Sequence, residues 1–306
     1  MTAPLRFWRC VQRPEYFFRP SQIWRRLRRN SFSGSEVWLA WGLPVEVDLF
    51  SMAGGDIWNL GIHDRIVPEA ICRLLDSGER AFDIGSHAGQ NASMMALAAG
   101  PLGRVTAFEP ADRAWHMLSR SVEKWRAYRL APIDPIRKGV GSRSGTQVLH
   151  ETGDPGGFTL QAAPVGVNRF LEGKPGAEIE ITALDPYLSG SQTAGLIKID
   201  VEGHELAVLE GASRILAGRR VRDIVFEDFG RQPSPVTLRL ESAGYAVFYL
   251  YPGWSKPKLV PVGQSGKWLR RAMSEPNFLA TADPERARAR FRAPGWKSLR
   301  MRARLR

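Results

Sequence analysis

The feature that most limits what this chain can fold into is a set of four short apolar runs, each ending at carboxylates. Residues 81–84 contain Asp83, and residues 105–108 precede Glu109. Residues 196–199 precede Asp200 and Glu202, and residues 223–226 precede Glu227 and Asp228. Between the first two runs lies a stretch of small residues, 90–99, with helical character. After the second comes a helix stripe of Trp115, Leu118, Val122 and Trp125. Strands that alternate with helices must cross over and pair in parallel, so the chain is read as α/β with helices on both faces of a mostly parallel sheet. In such a sheet ligands sit outside the carboxyl ends of the strands. The acids at four strand ends therefore face one crevice.

The remaining segments fit around this frame. Residues 37–51 alternate apolar and polar side chains about Gly42-Leu43-Pro44, which predicts a small N-terminal β hairpin. Ile66, Val67, Ala70, Ile71, Leu74 and Leu75 recur at helical spacing ahead of the first central strand. A third strand is expected near 136–140, then a Gly- and Pro-rich connection over 141–190. A helix is expected over 203–217, and a terminal hairpin from 245–251 and 278–281. One domain, 33–283, accounts for all of this, flanked by a basic N-terminal extension, 1–32, and a basic C-terminal tail, 284–306.

Charge separates the functional classes. The formal net charge is +12, but residues 1–30 hold eight Arg against Glu15, and residues 284–306 hold nine Lys or Arg against Glu285. Those ends contribute +7 and +8, so the intervening 253 residues carry about −3. A body without basic surplus, with an acidic crevice, would repel phosphates, which makes nucleic acid an unlikely partner. Two cysteines without C-x-x-C spacing exclude a disulfide scaffold or thiolate zinc site. No apolar run of about 20 residues suggests a membrane span, and the expectation is a cytoplasmic protein.

The turn Asp83-Ile84-Gly85-Ser86-His87-Ala88-Gly89 permits close backbone approach, but it is neither G-x-G-x-x-G nor a G-K-[ST] loop. Glu109 stands 24 residues after Gly85, near the offset at which an acid accepts both hydroxyls of a ribose. An adenosine without phosphates satisfies these facts.

Three motifs carry a resemblance. Residues 82–91 (FDIGSHAGQN), 107–110 (AFEP), and 197–205 (IKIDVEGHE) followed by 209–212 (LEGA) resemble the FkbM family of S-adenosylmethionine-dependent methyltransferases. Residues 182–188 (TALDPYL) sit where that family has a related segment. The resemblance implies a class I methyltransferase, Rossmann-like sheet of seven strands. It implies S-adenosylmethionine across the ends of the first two, and an O-methyltransferase acting on a hydroxyl of a saccharide, glycolipid or secondary-metabolite acceptor. Asp83, Gly85, His87 and Gly89 would shape the methionyl end of the pocket, and Glu109 would hold the ribose. The acid that usually reads adenine after the third strand is replaced by Val140-Gly141-Ser142.

For catalysis the candidates are Asp200, Glu202 and His204, with Asp200 or His204 taking the acceptor proton. Asp200, Glu227 and Asp228 form a candidate oxygen set for one Mg2+, an arrangement that resembles macrocin-type sugar O-methyltransferases. Acids in a first helical turn also stabilise the helix dipole, which suffices to explain Glu205. The basic termini bear Trp8, Trp24 and Trp296 and suit peripheral contact with an anionic inner membrane face, although loose packing on the domain is the plainer account. The competing class is a nucleic-acid- or membrane-associated binding protein that keeps the fold without turnover.

Overall fold

A computed structural model describes residues 36–151, 158–159, 176–264 and 276–306. The N-terminal extension 1–32 lies outside the described residues. In chain order the elements are β1 (Glu36–Trp38), β2 (Pro44–Glu46), α1 (Met52–Leu60), α2 (Ile66–Leu74), β3 (Arg80–Ile84), α3 (Gln90–Ala99), β4 (Arg104–Phe108), α4 (Asp112–Trp125) and β5 (Ile133–Ile136). Then follow β6 (Gly139–Val140), β7 (Gly145–Glu151), β8 (Phe158–Thr159), β9 (Ala177–Thr182), β10 (Ala194–Ile199), α5 (Glu205–Gly211), α6 (Ser213–Ala217), β11 (Val221–Glu227), α7 (Pro235–Ser242), β12 (Ala246–Tyr251), β13 (Lys258–Pro261), β14 (Asn277–Thr281) and α8 (Pro284–Arg292). Among the described residues no helix is long and apolar enough to cross a membrane.

The main sheet runs β13-β12-β14-β11-β10-β3-β4-β5. Strands β5, β4, β3, β10 and β11 are parallel neighbours, and β14 enters antiparallel between β11 and β12. Seven of these strands form the class I methyltransferase sheet that the motifs imply. The eighth, β13, is an added antiparallel edge on β12. Every residue of β10 is buried, as a central strand covered on both faces requires. The order reverses between β3 and β10, so the crevice opens beside Asp83 and Asp200.

The expected third strand is two pieces. Residues 133–136 pair with β4 in the main sheet, whereas Gly139–Val140 leave it to pair with β9 in a separate four-stranded sheet, β6-β9-β7-β8. The expected helix over 203–217 likewise breaks at Ala212, between α5 and α6.

The ends of the described chain close the structure. The β1/β2 hairpin packs on α4, where Trp125 Nε1 donates to the Pro44 carbonyl at 2.6 Å and Glu46 N donates to Ser121 Oγ at 3.0 Å. Residues 284–306, expected as a tail, are an integral strap. Glu69, fully buried, accepts hydrogen bonds from Arg73 Nε (2.6 Å), Lys297 N (2.9 Å) and Ser298 N (2.7 Å). Arg73 in turn donates to the carbonyls of Arg290, Ala293 and Gly295. Trp296 and Leu299 are buried, and the strap ends in a bridge between Leu305 and Tyr128. Buried charge persists only where partners satisfy it, and here Glu69 and Arg73 are satisfied by the strap. Several of its cations are also spent internally: Arg286 and Arg290 hold Asp76, and Lys297 Nζ donates to the Cys72 carbonyl.

Candidate active site

Two glycines shape the turn after β3. Gly85 has φ +77°, and a Cβ there would lie 1.8 Å from the Asp200 carbonyl oxygen. This position admits glycine alone, because the ends of β3 and β10 touch backbone to backbone. Gly89, at φ +91°, starts α3, and a Cβ there would strike Leu118. His87 between them is also left-handed, at φ +48°. His63 and Gln90 fasten the preceding segment over this turn: His63 N donates to Gln90 Oε1 at 2.7 Å, and Gln90 Nε2 donates to the His63 carbonyl at 2.9 Å.

Glu109 is buried and sits across the same turn. Its Oε2 accepts from His87 N at 2.8 Å and its Oε1 from Ala111 N at 2.9 Å. Each oxygen keeps a lone pair for a hydroxyl donor. Burial outweighs these amides and pushes the carboxyl up to about 7. Burial also pulls His87 down to about 4, aided by the positive charges of His63 and Lys198, so its imidazole is neutral at physiological pH.

Lys198 is the residue that sequence reasoning left without a role. It faces Asp83 in the β10/β3 register and is 3 % exposed. Its ammonium donates to the Gly85 carbonyl at 2.6 Å and lies 3.4 Å from both Asp83 Oδ1 and Asp200 Oδ2. Burial alone would discharge it; Asp200 and Asp83 outweigh that and raise its pKa above the ordinary lysine value. Asp83 is fully buried, and burial raises its carboxyl despite Lys198. The contact to Asp83 is an ion-pair distance without hydrogen-bond alignment, and both Asp83 oxygens accept no hydrogen bond. A lysine inside the apolar run Leu196-Ile197-Lys198-Ile199 was the available signal, since a buried ammonium needs carboxylates beside it.

Asp200 and Glu202 lie just past β10 and Glu227 ends β11, and each offers a carboxylate oxygen within 4.8 Å of the others. Asp200 is part-exposed, at 41 % of its side chain. Burial, then repulsion from Asp200 and Glu202, pushes the Glu227 carboxyl well up, so Glu227 holds a proton and hydrogen-bonds to Asp200. Across the sheet Glu227 faces Asn277, whose Nδ2 donates to Asp64 Oδ2 at 2.8 Å.

Two expected members are elsewhere. Asp228 is buried and turned into its own loop, where it accepts from Gly230 N (2.8 Å), Gln232 Nε2 (3.0 Å) and Ser234 Oγ. It satisfies the backbone that leads into α7 and does not join Asp200 and Glu227; Glu202 does. The expected magnesium set is therefore not assembled, and Lys198 already supplies a cation to Asp200. His204 lies against Gly141, with its Nε2 3.3 Å from where a Gly141 Cβ would be. That nitrogen is buried without a partner. Burial lowers its pKa; among the described residues the charge that acts on it is Glu210, not an acid of the cluster. Glu205 is folded back on its own turn, accepting from Gly203 N at 3.0 Å.

The family model for the methyltransferase FkbM domain matches residues 83–247. The chain is 26% identical over 199 residues to the hexuronic acid methyltransferase AglP of Haloferax volcanii, covering 61% of this chain and 73% of that protein. Among solved structures it is similar to an S-adenosylmethionine-dependent O-methyltransferase from Thermotoga maritima (12% identity, TM-score 0.40, 72% of this chain and 65% of that one). It is also similar to Aeropyrum pernix fibrillarin with natively bound S-adenosyl-L-methionine (16% identity, TM-score 0.37, 70% of this chain and 73% of that one).

Proposed function

Since the chain belongs to the FkbM family of S-adenosylmethionine-dependent methyltransferases, we propose that it transfers the methyl group to a hydroxyl of a saccharide-type acceptor. The observation that carries this reading is the meeting of Asp83, Lys198 and Asp200 where the sheet order reverses. There the cofactor turn and a carboxylate cluster share one buried cation. The hexuronic acid named for the Haloferax volcanii relative supports a sugar-derived acceptor.

The residues present fit the cofactor. The buried Asp83 carboxylate lacks hydrogen-bond donors, and Glu109 keeps lone pairs for a diol. Asp83, Gly85, His87 and Gly89 would surround its methionyl end, and Glu109 would hold its ribose. When bound, the cofactor supplies a methyl group on a sulfonium, which needs no further activation.

What the chain must add is alignment of the acceptor oxygen with the methyl carbon and a place for the acceptor proton. Asp200, compensated by Lys198 and open to the crevice, takes that proton. Glu227, already protonated, donates a hydrogen bond to Asp200 and does not compete for it. Glu202 accepts from a second hydroxyl of a polyol.

The experiment is methyl transfer from radiolabelled S-adenosylmethionine to a panel of neutral sugars, uronic acids and glycolipids, with Asp200→Asn alongside. Transfer to an oxygen of a sugar, lost in the variant, is the expected result. Transfer confined to nitrogen or carbon acceptors would overturn the acceptor class.

A further inference from the structure

Among the described residues four Phe or Trp side chains are exposed: Trp38, Phe50, Phe229 and Trp254. The last three, with Met52, lie at the end of the main sheet where the crevice opens. Phe229 follows Glu227 by two residues at the carboxyl end of β11. Trp254 follows Tyr251, the last residue of β12, and β12 runs with β11 because both are antiparallel to β14. Phe50 N donates to Asp48 Oδ1 at 3.0 Å, and Asp48 is ion-paired at 2.8 Å to Arg113, in the first turn of α4 just past the end of β4. Met52 opens α1 two residues later. In the sheet order Trp254 and Phe229 therefore stand on the β12 and β11 side of the crevice, and Phe50 and Met52 on the β4 side. Five strand spacings separate β12 from β4, roughly 24 Å, so the four side chains flank the mouth and do not form one patch.

Their exposures are 88 % for Phe50, 64 % for Phe229, 61 % for Trp254 and 59 % for Met52, so packing within the chain holds little of their surface. A singly exposed apolar side chain is ordinary, but three of four exposed aromatics around one opening require an account. Each tip also has a cation beside it. Arg113 shares Asp48 with Phe50, Arg231 comes two residues after Phe229, and Lys256 comes two after Trp254. Lys256 Nζ donates to the Arg292 carbonyl at 3.2 Å, and neither Lys256 nor Arg231 pairs with an acid among the described residues.

We infer that this end of the molecule seats on the surface of an anionic phospholipid bilayer, with Phe50, Met52, Phe229 and Trp254 entering the headgroup region around the crevice. Aromatic side chains favour the boundary between water and hydrocarbon, and cations beside them reach headgroup phosphates while their stems stay on apolar surface. A protein partner fits this rim less well, because a stable interface needs a continuous patch of about 800 Å² on each side. Lys198, 3.4 Å from both Asp83 and Asp200, reduces the negative charge that the crevice turns toward the headgroups. A crevice seated in this way would meet an acceptor carried on lipid. That consequence rests on the saccharide reading above; the seating itself does not.

The test uses the full chain and vesicles of phosphatidylcholine mixed with phosphatidylglycerol, with no acceptor present. The wild type should co-sediment with them. Phe229→Ser/Trp254→Ser, which changes no charge, should bind at least about tenfold more weakly at low and at high salt, as the loss of two inserted aromatics requires. The Trp254 carbonyl that accepts from Trp296 Nε1 is kept in this variant, and an unchanged unfolding midpoint and S-adenosylhomocysteine affinity report an intact fold. Vesicles with brominated acyl chains should quench the tryptophan emission of the wild type more than that of Trp254→Phe. Absence of wild-type sedimentation, or equal binding or equal quenching in the variants, overturns the inference. Binding that salt abolishes alike in wild type and double variant overturns it too and assigns the attraction to the basic termini. With no acceptor in the assay, failure of vesicle binding and failure of the sugar panel are separate results.

Discussion

Lys198 lies 3.4 Å from Asp83 and 3.4 Å from Asp200, so one buried ammonium joins the acid at the end of β3 to the acid at the end of β10. It also holds the Gly85 carbonyl, and with it the turn that the cofactor would occupy. Binding of the donor and handling of the acceptor proton are thereby tied to the same charge.

Lys198→Met should therefore damage both functions. Removing one partner of a buried pair costs about 3 to 5 kcal/mol, so the midpoint of thermal unfolding should fall sharply and S-adenosylhomocysteine affinity with it. Lys198→Arg, which keeps the charge, should retain more of each. A Met variant with wild-type unfolding midpoint and affinity would show that the ammonium is dispensable.

Glu109 gives a pH signature. Its folded-state value, about 7, lies above the ordinary 4.5, so its contribution to stability is complete below about 4.5 and is lost as pH rises through about 7. Ligand binding runs the other way, because the ionised carboxylate is the better acceptor for ribose hydroxyls. Affinity for S-adenosylhomocysteine should rise with pH through about 7 and then level, whereas Glu109→Gln should bind at least about tenfold more weakly without that rise. Calorimetry across the range decides it, and a flat wild-type profile would remove Glu109 from the ribose.

Among the cluster residues, Asp200→Asn should lose methyl transfer by the ~10² to 10⁴ expected for a general base while keeping cofactor affinity. His204→Ala should leave transfer within about threefold, because its Nε2 is buried against Gly141 and away from the acids. Equal losses in the two variants would return His204 to the proton path.

Turnover should be insensitive to EDTA. Asp228, one of the three carboxylates expected to hold magnesium, is committed to Gly230, Gln232 and Ser234, and Lys198 already compensates Asp200. Loss of activity on chelation, restored by magnesium, would mean that Asp200, Glu202 and Glu227 take up an ion after all.

Ending the chain at Asp283 should abolish folding. Phe291, Trp296 and Leu299 are buried side chains worth about 1.5 to 3 kcal/mol each, and Glu69 and Arg73 would lose partners besides. Together these approach the whole stability of a domain, about 5 to 15 kcal/mol. Circular dichroism of the shortened chain checks this; a cooperative unfolding transition at the full-length midpoint would show the strap to be an accessory.

The sequence by itself determined the parallel strands, the helices between them, and the acids at their ends. Those features are local: β-branched and aromatic runs, glycine turns and periodic stripes act over a few residues. Tertiary structure alone decided which carboxylates meet. Asp228 adjoins Glu227 in sequence, yet a two-residue turn directs it into its own loop, while Glu202 reaches the cluster through a left-handed backbone at φ +52°. His204 is four residues from Asp200, but the packing of α5 under Gly141 turns it away. The strap shows the same limit: residues 284–306 read as a loosely packed basic tail, whereas Trp296 and Leu299 are buried and the strap is held by Glu69 and Asp76, more than 200 residues earlier. Composition sets how much charge a segment carries, and only the folded chain brings the distant carboxylates and carbonyls that neutralise it.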